Sequence, residues 1–439
     1  MSFDKRINTQ LGLLPEDWNI KTLGDELYIK GRIGWKGLKK NEYLEKSAYR
    51  IINGSNIINN KIDWSNCGYI SEERYDESPE IMLESNDIVM TKDGTIGKVA
   101  KLDTINEKTT VASGLFVIRN KSEIIDTDYL FYYFNSHYFK SLVQGRIEGS
   151  VIPHLYQRDF VSMQIPLPTQ LEQKAIANIL SSLDEKIEVN NAINKKLEDM
   201  AQVIFKQWFV DFEFPNEEGK PYKSSGGAMV ESELGMIPKG WKVSKIGELC
   251  EANQASKSNK EKWEFVNYLD TSNITKNCID NIQRLDTNVD KIPSRAKRKV
   301  KKNDIVYSTV RPNQYHHGII KAPVENMLAS TGFIVLTSKS SYSNDLIYLW
   351  LNQEETTTKL QSIAEQSTST YPSIKPSDIL SMKILVPFDK QLNYLSKIIG
   401  TQNNQISINQ QQNQKLSQIR DTLLPKLMSG EIRIPVEKE

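Results

Sequence analysis

Leu11-Gly12-Leu13-Leu14-Pro15-Glu16-Asp17-Trp18 stands near the start of the chain, and Leu234-Gly235-Met236-Ile237-Pro238-Lys239-Gly240-Trp241 stands in its second half. Beyond this pair, the echo continues in the same order. Leu23-Gly24-Asp25 returns as Ile246-Gly247-Glu248, and Asn86-Asp87-Ile88-Val89 as Asn303-Asp304-Ile305-Val306. Ala112-Ser113 and Phe116 are matched by Ala329-Ser330 and Phe333. Ser162-Met163 ahead of Ile165-Pro166-Leu167-Pro168 returns as Ser381-Met382 ahead of Ile384-Leu385-Val386-Pro387. The separation stays near roughly 220 residues, far too long a period for a solenoid. The chain is therefore two copies of one domain-plus-connector unit.

Within each copy, short β-branched and aromatic runs alternate with Gly, Asn, Asp and Ser clusters, which predicts strands and turns. Ile88-Val89-Met90, Leu115-Phe116-Val117-Ile118 and Phe333-Ile334-Val335-Leu336 are examples, followed by helical stretches over 128–143 and 344–363. Each copy reads as an α+β domain closed by a proline-bounded strand at Pro168 or Pro387.

A long helix follows each domain. No Gly or Pro occurs between Gln170 and Phe209. With Ile176 at heptad position a, Leu183, Asn190, Leu197 and Ile204 also fall at a, and Ile179, Lys186, Ile193, Met200 and Gln207 at d. In the second copy Leu395, Gln402, Asn409, Leu416 and Leu423 take a, and Ile398, Gln405, Gln412, Ile419 and Lys426 take d. Asn190 and Asn409 share one register position, and an Asn at a fixes register and partner geometry. The expected fold is two repeated α+β domains joined by two long helices that pair as an antiparallel coiled coil with pseudo-twofold symmetry. Its pairing residues are Ile176, Leu183, Asn190, Leu197, Ile204, Leu395, Asn409, Leu416 and Leu423. The expected boundaries are 1–168 for the first domain, 169–212 for the first helix, 213–232 for a linker, 233–387 for the second domain, 388–432 for the second helix and 433–439 for a tail. The stretch Pro215 to Gly227, rich in Glu, Gly, Pro, Lys and Ser, reads as exposed.

Composition limits the functions open to the chain. Hydrophobic residues make up 38% and charged residues 25%, enough for packed cores. No apolar run approaches the ~18–20 residues of a membrane span, and Met1 to Gln10 is polar, unlike a secretory signal. Cys67, Cys250 and Cys278 are odd in number and far apart, so neither a disulfide framework nor a cysteine zinc site is expected. Reduced thiols and a cytoplasmic location fit best. A net charge of +1 argues against a protein that coats nucleic acid with its whole surface, but not against local basic faces.

Catalytic motifs are missing. There is no Gly-x-x-x-x-Gly-Lys-Ser/Thr loop, no His-Glu-x-x-His and no Asn-Pro-Pro-Tyr or Asp-Pro-Pro-Tyr stretch. His316-His317 are adjacent, which is poor geometry for one metal, so no metal site is expected. Asp93-Gly94-Thr95-Ile96-Gly97-Lys98 reads as a tight glycine turn.

DNA-reading chemistry is present. Lys291 to Lys302 reads KIPSRAKRKVKK and has no acidic residue, a candidate phosphate-contacting edge through Arg295, Lys297 and Arg298. After the repeated Asn-Asp-Ile-Val element the frame recurs but the turn differs. It offers Lys92, Thr95 and Lys98 in the first copy and Ser308, Arg311, Asn313, Tyr315 and His316 in the second. A second variable place offers Arg146, Ser150 and His154 against Ser369 and Tyr371. These are residue types that read base edges or hold phosphates, and loops on a constant scaffold commonly carry recognition.

Together these features resemble the specificity subunits of type I restriction–modification systems, over essentially the whole chain. The resemblance is carried by Gly12-Leu13-Leu14-Pro15-Glu16-Asp17-Trp18 and Gly235-Met236-Ile237-Pro238-Lys239-Gly240-Trp241. It is also carried by Pro166-Leu167-Pro168-Thr169-Gln170-Leu171-Glu172-Gln173, by Trp208-Phe209-Val210-Asp211-Phe212, and by Leu424-Pro425-Lys426-Leu427-Met428-Ser429-Gly430-Glu431-Ile432. It implies two target-recognition domains, each binding half of a split site on double-stranded DNA, with the helices as a ruler. It implies no catalytic residue and no cofactor on this chain. Two modification subunits that bind S-adenosylmethionine and methylate adenine, and two restriction subunits that use ATP and Mg, would supply the chemistry. The second junction, Pro387-Phe388-Asp389-Lys390-Gln391, departs from the pattern by lacking the Glu-Gln pair of the first. Two other readings stay open at this point: a coiled-coil adaptor without DNA specificity, and a self-sufficient nuclease or methyltransferase.

Overall fold

The computed structural model of the chain describes residues 5–9, 11–33, 37–147, 153–258, 260–339, 343–366 and 372–435. The chain divides into two compact units, Met1–Lys186 with Lys415–Glu439, and Ile187–Gln414.

The first unit is organised around a four-stranded antiparallel sheet in the spatial order Val99–Lys101, Ile88–Thr91, Leu115–Asn120, Leu27–Gly31. Both faces are covered, so its strands read as unbroken apolar runs rather than alternating ones. Ile88, Met90, Phe116 and Ile118 pack with Tyr129, Tyr133, Phe134, Phe139 and Phe160 on one side. Val89, Ala100, Leu115 and Val117 pack with Ile52, Ile81 and Val111 on the other. The helices on the aromatic side start at well-formed caps. Asp126 accepts from the N–H of Asp128 and Tyr129 to begin Thr127–Asn135, and Ser136 accepts from Phe139 to begin His137–Gln144. A second sheet pairs Tyr49–Ile52 in parallel with Lys108–Val111 and antiparallel with Gly68–Ile70. Gln164–Leu167 returns to pair with Asn19–Thr22 and delivers the chain to the first long helix, Gln170–Phe205. The end of the second long helix enters the same core through Leu424, Leu427 and Met428. Beyond it, Arg433 donates to both oxygens of Asp17 and of Glu172. Those hydrogen bonds hold the Asp17 carboxyl below the usual carboxylate range.

The second unit repeats these parts. Its central sheet runs His317–Ile319, Ile305–Ser308, Phe333–Ser338, Cys250–Ala252, the same order as in the first. Phe265–Leu269 lies parallel to Met327–Ser330, and this second sheet gains Gln283–Asp286 and Ala296–Lys299 at its edges. Lys242–Lys245 pairs with Lys383–Val386 before the second long helix, Asp389–Met428. Pro215 to Gly227, expected as an exposed linker, is exposed over most of its length but folds back on itself. Tyr222 stacks on Phe214 at 4.6 Å, and Phe214 on Trp241 at 4.9 Å.

Within each unit the long helices are antiparallel. In the first, Arg420 Nη1 donates to Asp184 Oδ1 at 2.6 Å. In the second, Asn190 Nδ2 donates to Asn413 Oδ1 and Asn409 Nδ2 to Asn194 Oδ1, both at 2.8 Å, so residue number rises on one helix as it falls on the other. All nine expected pairing residues are buried or half-buried. The d positions differ from expectation: Ile179, Lys186, Ile193, Met200, Gln405, Gln412 and Ile419 are exposed. The second seam position lies one residue later, at Leu180, Ile187 and Asn194 on one helix and Leu392, Ile399 and Ile406 on the other. A three-residue-wide apolar stripe fits either frame by periodicity, and packing selects one edge. Because the buried Asn409 Nδ2 donates to Asn194 Oδ1, Asn194→Leu alone is expected to cost about 1–3 kcal/mol by stranding that buried donor. The double Asn194→Leu/Asn409→Leu variant is expected to recover most of that loss. Thermal unfolding of the three variants checks this, and equal losses in single and double would remove the pairing argument.

Among the described residues, no helix is long and apolar enough to cross a membrane.

Candidate nucleic-acid interface

Each central sheet carries one hairpin whose tip is clasped by a distant segment. In the first unit the hairpin is Ile88–Thr91 with Val99–Lys101. Its base is closed by Thr91, whose hydroxyl donates to Thr95 O at 2.6 Å and accepts from Lys98 N at 2.9 Å. Lys92 N donates to Gly114 O, Leu155 N to Lys92 O and Gly94 N to Pro153 O. Asp93 forms a bridge with His154, and their side chains are in contact. Thr95 and Lys98 project outward, while Lys92 is half-buried with its ammonium 5.4 Å from the Phe116 ring centre. His154 meets Tyr156 edge-on at 4.5 Å. Arg146 is exposed just beyond the end of its helix.

The second hairpin, Ile305–Ser308 with His317–Ile319, is clasped in the same way. Thr309 N donates to Gly332 O, Ile374 N to Thr309 O and Arg311 N to Pro372 O, and Val310 bridges Ser373. Matching these bonds makes Arg311 the counterpart of Gly94. Gly94 has φ +67 with open space around it; Arg311 has φ 49, the same left-handed region. Glycine enters that region freely, whereas a side chain costs roughly 1–2 kcal/mol there. Tyr315, at φ 56, closes the 3-10 turn Pro312–Gln314, and Lys276 Nζ lies 4.1 Å from its ring centre. Arg311 and Asn313 are exposed.

Other expected residues fall differently. Ser308 is buried and its hydroxyl donates to Val310 O, so it braces the turn from beneath. His316 is half-buried with Nδ1 2.7 Å from Ile274 O. Beside it, His317 is buried and stacked on Tyr307, and burial pushes its pKa down to about 3, so it stays neutral. Ser150, Ser369 and Tyr371 lie outside the described residues. In the basic run, Arg295 and Lys297 are exposed and Arg298 is half-buried. Lys299, by contrast, is spent on an ion pair with Glu261 at 2.6 Å. The backbone of Arg295 accepts from Thr331 N, which brings that one basic residue to the second hairpin.

Two further pieces adjoin each hairpin and escaped the sequence reading. One is a 3-10 turn, Gly54–Asn56 capped by Asn53 and Thr271–Asn273 capped by Asp270. A Cβ at Gly54 would come 2.9 Å from the Thr91 methyl, and one at Gly332 2.8 Å from the Thr271 methyl. Isoleucine- and asparagine-rich text around it (Ile52 to Asp63, Leu269 to Asp280) was the available signal. The other piece is a hydroxyl–glycine step. Strand pairing sets Val111 opposite Ile52 and Ala329 opposite Leu269, and Leu115 opposite Thr91 and Phe333 opposite Ser308. Ser113-Gly114 therefore corresponds to Thr331-Gly332, not to Ser330-Thr331. The letter match Ala112-Ser113 to Ala329-Ser330 is out by one residue, and such a slip would turn every side chain to the opposite face. Among the described residues, no group of three or more His, Cys, Asp or Glu could hold a metal ion.

The sequence model of the family described as type I restriction modification DNA specificity domain matches residues 15–199 and 238–418. The chain is 26% identical over 439 residues to the MjaIX specificity subunit of Methanocaldococcus jannaschii, covering 97% of this chain and 96% of that one. It is 24% identical to the HindI specificity subunit of Haemophilus influenzae, covering 87% and 94%. Among solved structures, the crystal structure of the type I S subunit from M. genitalium shares its fold, with a TM-score of 0.57 at 18% identity over 97% of this chain and 99% of that one.

Proposed function

This chain belongs to the type I restriction modification DNA specificity family, as a non-catalytic specificity subunit that recognises DNA through two target-recognition domains, and from that premise we propose how its residues divide the work. Residues 1–168 and 233–387 each read one half of a bipartite site. The observation that carries this is the pair of clasped hairpins: one hydrogen-bonded frame occurs twice, and the tip it presents differs. Lys92, Thr95, Lys98, Arg146 and His154 face the first half-site, and Arg311, Asn313, Tyr315 and His316 the second. Arg295, Lys297 and Arg298 flank the second half-site at the phosphates.

Two modification subunits carrying S-adenosylmethionine methylate adenine in the addressed site, and two restriction subunits using ATP and Mg cleave DNA in the cytoplasm. Docking of the modification subunits is supported by a second apolar stripe on the first long helix, where Ile179, Val189, Ile193, Met200 and Val203 are exposed. Adenine-methylation mapping of a naive host tests the assignment, with this chain and its modification subunit expressed together or the subunit alone. A new split, asymmetric motif with a fixed gap is expected only when this chain is present. Assembly of the complex without any such motif would refute the address-giving role.

A further inference from the structure

Two domains that read different letters have one thing in common in their targets, the sugar–phosphate backbone. Side chains that stay the same while the neighbouring tips change are therefore candidates for that common feature. We propose that four hydroxyls, Ser55 and Ser113 in the first domain and Ser272 and Thr331 in the second, contact the phosphodiester backbone flanking each half-site.

Three observations carry this assignment. The hydroxyls occupy equivalent places: Ser55 and Ser272 sit in the 3-10 turn, and Ser113 and Thr331 precede the glycine whose carbonyl receives Lys92 N or Thr309 N. They are accessible, with Ser55 and Ser272 exposed and Ser113 and Thr331 half-exposed. Their donors are free or held only by an exposed bond. Among the described residues the Ser113 and Thr331 hydroxyls have no protein partner, so their donors are free; the exposed Ser55 and Ser272 hydroxyls each give their one donor to a cap residue, Asn53 or Asp270, and exchange that bond for one to a phosphate. The residues between them do not repeat: Lys92 to Lys98 stands against Thr309 to His316. Arg295, beside Thr331, supplies the charge that draws the strand to this point in the second domain.

The inference rests on the DNA-reading assignment, and the test separates the two. The complex of this chain with its modification subunits is assembled with wild-type chain and with Ser272→Ala/Thr331→Val. Binding is measured over a salt series, on duplexes carrying the intact site or a scrambled second half-site. Both substitutions spare the fold, because Asp270 caps the turn through Ser272 N and Thr331 reaches Arg295 O through its own N–H. Affinity is expected to fall roughly tenfold on both duplexes, from two lost hydrogen bonds. The methylated motif should be unchanged. Since a hydroxyl releases no counterion, the slope of log K against log salt should also be unchanged, whereas Lys297→Ala should lower it by about one. Thr331→Ser, which keeps the hydroxyl, should bind more tightly than Thr331→Val. Altered letters in the second half-site would mean these hydroxyls read bases, and unaltered affinity would mean they serve only the turn; either overturns the proposal. A wild-type complex that binds intact and scrambled duplexes alike would overturn the reading beneath it.

Discussion

Asp345→Ala is expected to cost the second unit about 3–5 kcal/mol, because it removes one partner of a buried ion pair. Asp345 Oδ1 accepts from Lys321 Nζ at 2.7 Å and from Asn403 Nδ2 at 2.9 Å. The two charged side chains are 4% and 10% exposed. Asn403 belongs to the second long helix and Lys321 follows the hairpin strand, so one carboxylate ties the helix to the sheet. Without it, among the described residues the ammonium keeps only Asn303 Oδ1, at 3.0 Å. Domain stabilities are about 5–15 kcal/mol in total. For a unit of this size the loss corresponds to a fall in Tm of roughly 6–20 °C. The double variant Lys321→Met/Asp345→Leu, which removes both charges and keeps volume, is expected to recover most of it. Calorimetry of the full chain decides the matter. A single variant within about 1 kcal/mol of wild type would show that water relieves the ammonium and that the pair does not anchor the helix.

Arg311→Ala is expected to relax the second half-site and leave the letters of the first intact. An arginine paired to a base edge contributes about 1–3 kcal/mol of discrimination, or roughly 5- to 150-fold. Arg311→Gly adds a control that the backbone makes available. Glycine fits the left-handed conformation that Gly94 already occupies in the first hairpin, so this variant loses the guanidinium and the strain together. Its stability is expected to stay within about 1 kcal/mol of wild type, with relief of strain offset by chain entropy. Both variants should show the same change in methylated motif. Uniformly weaker binding with an unchanged motif would instead mark Arg311 as a phosphate contact.

Much of the candidate interface was legible because it was written twice. The repeated Asn-Asp-Ile-Val element led to both hairpins, and the differing text after it led to Lys92–Lys98 and Arg311–His316. What could not be read was which side chains the fold spends on itself. Ser308 and Arg311 look equally suited to DNA, yet one is buried beneath the turn and the other exposed at its tip. Lys297 and Lys299 are two residues apart, and only the second meets Glu261. Such outcomes depend on neighbours brought from far along the chain, and composition holds no record of them.

The duplication, the α+β domains, the two long helices and the places where the copies diverge all follow from the order of the residues along the chain. All of these are local patterns of periodicity and turn chemistry, or repeats visible by eye. The tertiary structure alone decided three other things. It chose Leu180 over Ile179 for the seam, since both lie on one helical stripe and only the facing helix distinguishes them. It made Thr331 rather than Ser330 the counterpart of Ser113, since strand register follows hydrogen bonds and not letters. And it joined Asp93 to His154 and Val310 to Ser373, contacts between residues more than sixty apart that no local preference encodes.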